Sequence, residues 1–299
     1  MLKNVAFLGL GVMGFPMAGY IAKSGFTTCV YNRTAIKAQD WLKTHNAQGS
    51  THHLSTASTP ALAVANAQIV CMCLGNDDDV RSVVYGANGV LANMPAGGLL
   101  IDHTTGSQTL AIELAQACRE RNIGFVDAPV SGGQAGAENG QLTIMCGAHT
   151  EDYARAKPVL DVYSRHHQLL GDVGAGQLAK MMNQICIAGM VQGLSEALHF
   201  GECAGLDRQA VIDVIAKGAA QSWQMDNRAH SMINNEYEFG FAVDWMRKDL
   251  GIALDAAREN GASLPVTALV DQFYADVQQA GGGRWDTSSL LTRLSVPKP

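Results

Sequence analysis

The stretch Val5-Ala6-Phe7-Leu8-Gly9-Leu10-Gly11-Val12-Met13-Gly14 decides how the chain begins to fold. An apolar run enters three glycines spaced G-x-G-x-x-G, and an apolar-periodic segment, Met13–Ser24, leaves them. That order specifies a strand turning directly into a helix. Each glycine has a separate physical task in such a turn. Gly9 permits the tight bend, Gly11 lets backbone approach a pyrophosphate, and Gly14 allows close helix–strand packing. Leu10, Val12 and Met13 complete the loop, and the helix behind them directs N–H groups and a partial positive charge at phosphate. Residues Gly9 to Gly14 therefore read as a dinucleotide-binding loop.

Outward from this motif, short apolar runs alternate with helical patterns. The strands expected are Val5–Gly9, Thr27–Tyr31, Ile69–Leu74, Leu99–Asp102, Gly124–Asp127 and Leu142–Cys146. Between them lie the helical patterns Met13–Ser24, Ala35–Thr44, Ala61–Ala65, Ser107–Arg121 and Glu151–Tyr163. Alternation of this length implies parallel βαβ units. Beyond about residue 165 the β-like runs stop. The patterns Ala175–Ala204, Asp207–Ala216, Ala242–Asn260 and Pro265–Gln279 follow, all helical. Two domains are expected, 1–165 and 166–299. The long pattern Ala175–Ala204 is apolar almost all round in its middle, so it calls for burial or a partner.

Composition narrows the class. A chain of 299 residues, 47% hydrophobic and 16% charged, has material for a sizeable core. The net charge of −6 argues against a nucleic-acid binder that works by neutralising phosphates. The most apolar later stretch, Ile185–Val191, is too short to span a bilayer and is flanked by Lys180, Asn183, Gln192 and Glu196. The N-terminus carries no evident signal peptide. The cysteines number seven, an odd count, with no Cys-x-x-Cys pair, so reduced thiols in a cytoplasmic protein are expected, without a zinc or other metal site.

The end of the second strand bears on which nucleotide is taken. NAD sites usually carry a carboxylate there for the ribose 2′-OH. This chain has Tyr31-Asn32-Arg33-Thr34 and no carboxylate. Arg33 offers a planar, bidentate donor for a 2′-phosphate, and Asn32 and Thr34 add neutral donors, which favours NADP(H) over NAD(H).

Further candidates lie at the carboxyl ends of strands, where open α/β sheets bind ligands. These are Leu74-Gly75 and Asp102-His103-Thr104-Thr105, suited to ribose or nicotinamide. The run Asp127-Ala128-Pro129-Val130-Ser131-Gly132-Gly133 offers backbone N–H groups and a hydroxyl for a small carboxylate. In Gly174-Ala175-Gly176-Gln177-Leu178-Ala179-Lys180-Met181-Met182-Asn183 a glycine-rich entry opens the long apolar helix. Lys180 and Asn183, at i and i+3, share a face. A lysine near the buried start of such a helix is costly unless paired or used, and one beside a carbonyl can serve as general acid or base. Lys248, in Arg247-Lys248-Asp249-Leu250, is a candidate for a cofactor phosphate or ribose, against the plainer reading of a solvated charged face.

Taken together, these segments resemble the β-hydroxyacid dehydrogenase family, specifically its 3-hydroxyisobutyrate dehydrogenase-like group. The resemblance runs nearly end to end, through Phe7–Gly14 continuing to Pro16-Met17-Ala18, Asp127–Gly133, Gly174–Asn183 and Lys248-Asp249-Leu250. It implies an α/β Rossmann domain followed by an all-α C-terminal domain, joined by a long helix. It implies Lys180 as catalytic acid/base, and Ser131, Gly132, Gly133 and Asn183 as substrate contacts. It also implies Gly9 to Gly14, Leu74, Gly75, Thr105 and Lys248 as cofactor contacts, with Arg33 where relatives that use NAD usually have an aspartate. Three positions depart from the family pattern. Gly75 replaces a frequent proline, Gln184 replaces a frequent second asparagine, and His103 stands where a small or apolar residue is usual.

The activity so implied is NADP(H)-dependent interconversion of a small β-hydroxyacid and its semialdehyde. A homodimer or homotetramer is expected through the long helix. Two other readings have distinct signatures. A reductase of an imine or another carbonyl on the same fold would act without aldehyde turnover. A non-catalytic NADPH-binding protein would bind tightly without turnover, and would need neither Lys180 nor Asn183.

Overall fold

The computed structural model describes residues 4–46 and 53–294. The remaining residues at the two ends of the chain and at 47–52 lie outside the described set. The chain divides into two compact units, residues 1–180 and 181–299.

The first unit is built on a sheet of nine strands. In chain order its elements are β1 (Asn4–Leu8), α1 (Gly14–Lys23), β2 (Thr27–Tyr31), α2 (Ala35–Asn46), β3 (Leu54–Thr56), α3 (Pro60–Val64), β4 (Ile69–Met72), α4 (Asp77–Val84), α5 (Val90–Asn93), β5 (Leu99–Asp102) and α6 (Gln108–Arg119). There follow β6 (Gly124–Asp127), β7 (Val130–Ser131), α7 (Gly133–Glu138), β8 (Leu142–Ala148), α8 (Thr150–Leu160) and β9 (Ser164–Gly171). The strand order is β3-β2-β1-β4-β5-β6-β8-β7, with β9 along β8. Pairing is parallel from β3 through to β6.

Alternate residues of β1 explain why so apolar a strand is needed. Val5 and Phe7 pack into one core, with Met17, Ile21, Trp41 and Tyr163. Ala6 and Leu8 pack into a second core, with Val64, Val80, Leu100 and Leu114. A parallel sheet covered on both faces buries both sets.

Three features differ from the sequence expectation. First, β6 and β7 pair antiparallel with β8. The six-residue helix α7 is too short to carry the chain back along the sheet for a parallel return. The longer α8 does so, and β9 is parallel to β8. Second, β9 extends the sheet to Gly171, so a division at 165/166 falls inside a strand. Its sequence, Ser-Arg-His-His-Gln-Leu-Leu-Gly, is polar and mostly exposed, which suits an edge strand and leaves no apolar alternation to read. Third, β3, β7, α4, α5, α7 and, in the second unit, the helix Trp223–Ile233 were not anticipated. The N-cap of α4 is Asn76, whose side-chain oxygen accepts the Asp79 N–H at 2.8 Å.

The helix α9 (Ala175–Cys203) begins in the first unit and continues into the second. The second unit adds α10 (Arg208–Ile215), α11 (Trp223–Ile233), α12 (Val243–Asn260), α13 (Pro265–Gln279) and a short 3-10 helix, Thr287–Arg293. Its core joins Ala188 and Val191 of α9 to Val243, Met246, Leu250, Val270 and Tyr274. Among the described residues, no helix is long and apolar enough to cross a membrane.

Candidate active site

The glycine loop is shaped by different contacts at each glycine. Gly9 has φ +95° and donates its N–H to the Tyr31 carbonyl at 2.9 Å. A side chain there would strike the Cys73 carbonyl oxygen and come within 2.8 Å of Leu74 Cδ2. Gly14 packs directly on the carbonyl of Gly9, leaving no room for a Cβ. Gly11 is different. It is exposed, has no unusual φ, and a Cβ built on it would meet nothing within 4 Å. Nothing inside the protein requires glycine there, whereas a ligand lying on the loop does. The first turn of α1 carries no acidic residue and no side-chain cap, so a phosphate group meets no competing negative charge at that helix end. These residues fit a dinucleotide.

At the end of β2, Asn32 braces the loop. Its side-chain oxygen accepts the Leu10 N–H at 2.8 Å, and its amide nitrogen donates to the Thr34 carbonyl at 3.1 Å. The side chain read above as a donor for the ligand is thus engaged within the protein. Arg33 projects outward with its side chain 83% exposed, and pairs at 3.0 Å with Asp79 in the first turn of α4.

The ends of β4 and β5 are tied together. The Leu74 N–H donates to Thr104 Oγ1 at 2.9 Å, and the Thr104 N–H donates to Asp102 at 2.9 Å. Thr105 follows, half-buried. Burial raises the Asp102 carboxyl to about 7, despite its bonds from Thr104. His103 is fully internal. Its Nδ1 lies 2.7 Å from the Ala128 carbonyl, which can only accept, so Nδ1 carries the proton and Nε2 accepts from the Tyr163 hydroxyl at 2.9 Å. Burial lowers its pKa to about 4. The unusual histidine is therefore a neutral cross-brace beneath the site.

Beyond β6, Val130 and Ser131 form β7, and α7 opens at Gly133 behind Gly132. Gly132 and Gly133 have φ +128° and +60°, conformations that call for glycine. The start of α9 closes on this region. The Asp127 carboxylate accepts the Gly174 N–H at 2.7 Å and the Gln177 N–H at 2.9 Å. Burial lifts its pKa to about 6 against those hydrogen bonds. Gly176 lies so near β8 that a Cβ would sit 2.5 Å from the Met145 carbonyl. One turn later Lys180, 6% exposed, donates from Nζ to the Val130 carbonyl at 2.9 Å. The fold thus brings Lys180 against the carbonyl of Val130, the residue before Ser131, Gly132 and Gly133.

In the second unit, Asn183 donates to Gln184 Oε1 at 2.7 Å, and Gln184 donates to Asp249 Oδ2 at 2.7 Å. Lys248 Nζ lies 3.1 Å from Asp249 Oδ1. Asp249, buried, therefore pairs with Lys248 directly and with Asn183 through Gln184. The departure at Gln184 acquires a use here, since its amide bridges Asn183 to Asp249. Trp223 and Phe239 flank the Arg228 guanidinium at 4.9 and 5.0 Å, and Trp245 lies 5.8 Å from Lys248 Nζ.

Sequence reasoning assigned no separate role to Asp79, Asp127, Gln177 or Asp249, and grouped Thr104 with possible ligand contacts, whereas its hydroxyl accepts the Leu74 N–H. For Asp249 a signal was present: it interrupts the apolar face Val243, Met246, Leu250 and Ala253 of α12. Among the described residues no group of three or more His, Cys, Asp or Glu is arranged to hold a metal ion.

A parallel sheet with a glycine loop at one strand end, and a helix-borne lysine against another, defines an NAD(P)-dependent oxidoreductase. The chain belongs to the β-hydroxyacid dehydrogenase family, in its 3-hydroxyisobutyrate dehydrogenase-like group. Residues 4–174 match the NAD binding domain of 6-phosphogluconate dehydrogenase, and residues 174–294 match the domain described as NAD-binding of NADP-dependent 3-hydroxyisobutyrate dehydrogenase. It is 58% identical over 293 residues to an uncharacterized oxidoreductase of Shewanella frigidimarina, covering 98% of each chain. It is 32% identical over 303 residues to the NAD-dependent L-serine dehydrogenase of Pseudomonas aeruginosa, covering 99% of each. The solved 3-hydroxyisobutyrate dehydrogenase of Mycobacterium tuberculosis with L-serine superposes with a TM-score of 0.87 at 30% identity, over 99% of this chain and 100% of that one.

Proposed function

We propose that the protein interconverts a small β-hydroxyacid and its semialdehyde with NADP(H), using Lys180 as general acid and base. The observation that carries this reading is the buried Lys180 side chain, its Nζ 2.9 Å from the carbonyl of Val130, the residue before Ser131. The similar proteins above, named for 3-hydroxyisobutyrate and L-serine, support a substrate that combines a carboxylate with a 3-hydroxyl. When bound, the nicotinamide supplies or accepts the hydride. Ser131, Gly132 and Gly133 hold the carboxylate, with Asn183 as a further substrate contact. Lys180 gives a proton to the carbonyl oxygen in reduction and removes it from the hydroxyl in oxidation, so oxidation quickens as pH rises and reduction slows. Gly9 to Gly14, Leu74, Gly75, Thr105 and Lys248 serve the cofactor. All seven cysteines are free, which supports a reducing, cytoplasmic setting. The exposed apolar side chains Met182, Met190 and Phe200 along α9 support self-association as a homodimer or homotetramer.

The test is NADPH oxidation over a panel of small semialdehydes, with NADH in parallel and Arg33→Ala beside the wild type. Loss of a charge-assisted phosphate contact, worth about 1.5–3 kcal/mol, should raise KM for NADPH roughly tenfold to a hundredfold and leave NADH unchanged. No turnover of any semialdehyde would defeat the reading, and a wild type that prefers NADH would defeat its cofactor half. Asp79 refines the expectation, since its carboxylate competes with a 2′-phosphate for Arg33. An exposed pair contributes about 0.2–1 kcal/mol, so Asp79→Asn should lower KM for NADPH only about twofold to fivefold, and should do nothing in an Arg33→Ala background.

A further inference from the structure

Gln177 is the polar side chain of α9's first turn, Ala175-Gly176-Gln177-Leu178. It is 2% exposed. Its amide nitrogen donates to the Thr104 carbonyl at 2.8 Å, and its oxygen accepts the Gly106 N–H at 3.0 Å. These two groups flank Thr105. The strand β5 has ended at Asp102, so no sheet ladder satisfies them. Three residues on, the same helix presents Lys180.

The rest of the first turn is fixed independently. Asp127, at the end of β6, receives the Gly174 and Gln177 N–H groups, and Gly176 abuts the Met145 carbonyl of β8. The helix start is thus held against the end of β6 and the middle of β8, and Gln177 provides the hold on the loop after β5. An aliphatic side chain of similar size would fill the space equally well. Only a group with one donor and one acceptor, aimed in opposite senses, pairs both backbone atoms around Thr105.

We propose that Gln177 is a positioning residue that sets the loop bearing Thr105 relative to Lys180, and so aligns hydride transfer with proton transfer. This rests on the function proposed above, in which Thr105 serves the cofactor and Lys180 moves the proton. The side chain of Gln177 is spent on the Thr104 carbonyl and the Gly106 N–H.

The experiment compares Gln177→Leu and Gln177→Glu with the wild type. In the enzyme without cofactor, amide exchange at Gly106 should rise at least tenfold in Gln177→Leu, while exchange in β5 stays as it was. In turnover, kcat should fall about a hundredfold, the cost of a small misplacement of reacting groups. KM for NADPH should stay within threefold. The isotope effect with 4-deuterated NADPH should increase, because hydride transfer becomes the slow step. Gln177→Glu supplies the check that a structural role would not move. Protonated, it reproduces the donor and the acceptor; ionised, it sets an oxygen against the Thr104 carbonyl. Its kcat relative to wild type should therefore decline as pH rises. Taking that ratio at each pH removes the titration of the neighbouring Asp102, His103, Asp127 and Lys180. It also gives a result if Gln177→Leu does not fold.

An active wild type with Gln177→Leu within twofold in kcat overturns the assignment of Gln177 alone. So does a Gln177→Glu ratio that is flat with pH. A wild type inert on every semialdehyde overturns the proposed function and this inference with it.

Discussion

Lys180→Ala lowers kcat by roughly 10²–10⁴, the usual contribution of one positioned acid/base, and leaves the Kd for NADPH within threefold. The side chain is almost wholly buried, and its hydrogen bond runs to the Val130 carbonyl, next to Ser131. Truncation to alanine removes the proton donor and little of the surrounding structure, since the anchors of α9 at Asp127 and Gln177 remain. Lys180→Arg separates proton transfer from simple charge. The guanidinium keeps the charge but cannot give up its proton at working pH, so Lys180→Arg should recover less than a tenth of the lost rate. Stopped-flow turnover of the wild type and both variants, with thermal unfolding alongside, decides it. A Lys180→Ala enzyme with unchanged kcat removes Lys180 from the chemistry.

The second large effect is a divergence between two glycines of one loop. Gly14→Ala forces a methyl group onto the Gly9 carbonyl and to 2.8 Å from the Phe7 ring. Helix propensity favours alanine by about 1 kcal/mol. Overpacking of backbone on backbone exceeds this, and a net loss of about 3 kcal/mol is expected. For a unit of this size that is a Tm lower by roughly 6–12 °C. Gly11→Ala adds its methyl to open space. Its Tm should be unchanged or slightly raised, while Kd for NADPH rises at least tenfold because the methyl occupies the ligand's place. Differential scanning calorimetry and titration calorimetry on the two variants read both quantities. Equal behaviour of the two, in either measurement, would mean that the loop is shaped for packing alone.

What could be read from the sequence was what repeats locally. The strand–glycine–helix order of residues 5–24 announced the first βαβ unit, and the end-to-end motif set announced the family. Period and spacing are short-range signals, and they located β1, β2, β4, β5, β6 and β8, the long helix, and α10, α12 and α13 after it, but not β3 or α11. The strand β9 escaped because an edge strand needs no apolar alternation, and the turn of β6 into an antiparallel return escaped because it follows from the length of α7. The site divides in the same way. Lys180 and the glycines belong to motifs. Gln177 acts through partners 71 and 73 residues away, and Asp127 through partners 47 and 50 residues away. Such pairs leave no periodic trace, and only folding brings them together. Asn32 illustrates a subtler miss. The residue type was noticed, but its amide faces inward to Leu10 and Thr34, and the ligand-facing reading rested on its neighbour's logic.

That inward orientation has a consequence for how such a site can change over evolutionary time. Residue 32 is part of the scaffold, since it supports the Leu10 N–H. Residue 33 stands outside it, its side chain 83% exposed and paired with Asp79. Exchanges at position 33 should alter stability by no more than about 0.5 kcal/mol. With Arg33 in its proposed role, nucleotide preference and foldability are recorded at adjacent but separate positions. A lineage carrying this architecture can revise which nucleotide it uses by single steps at Arg33, without passing through unstable intermediates.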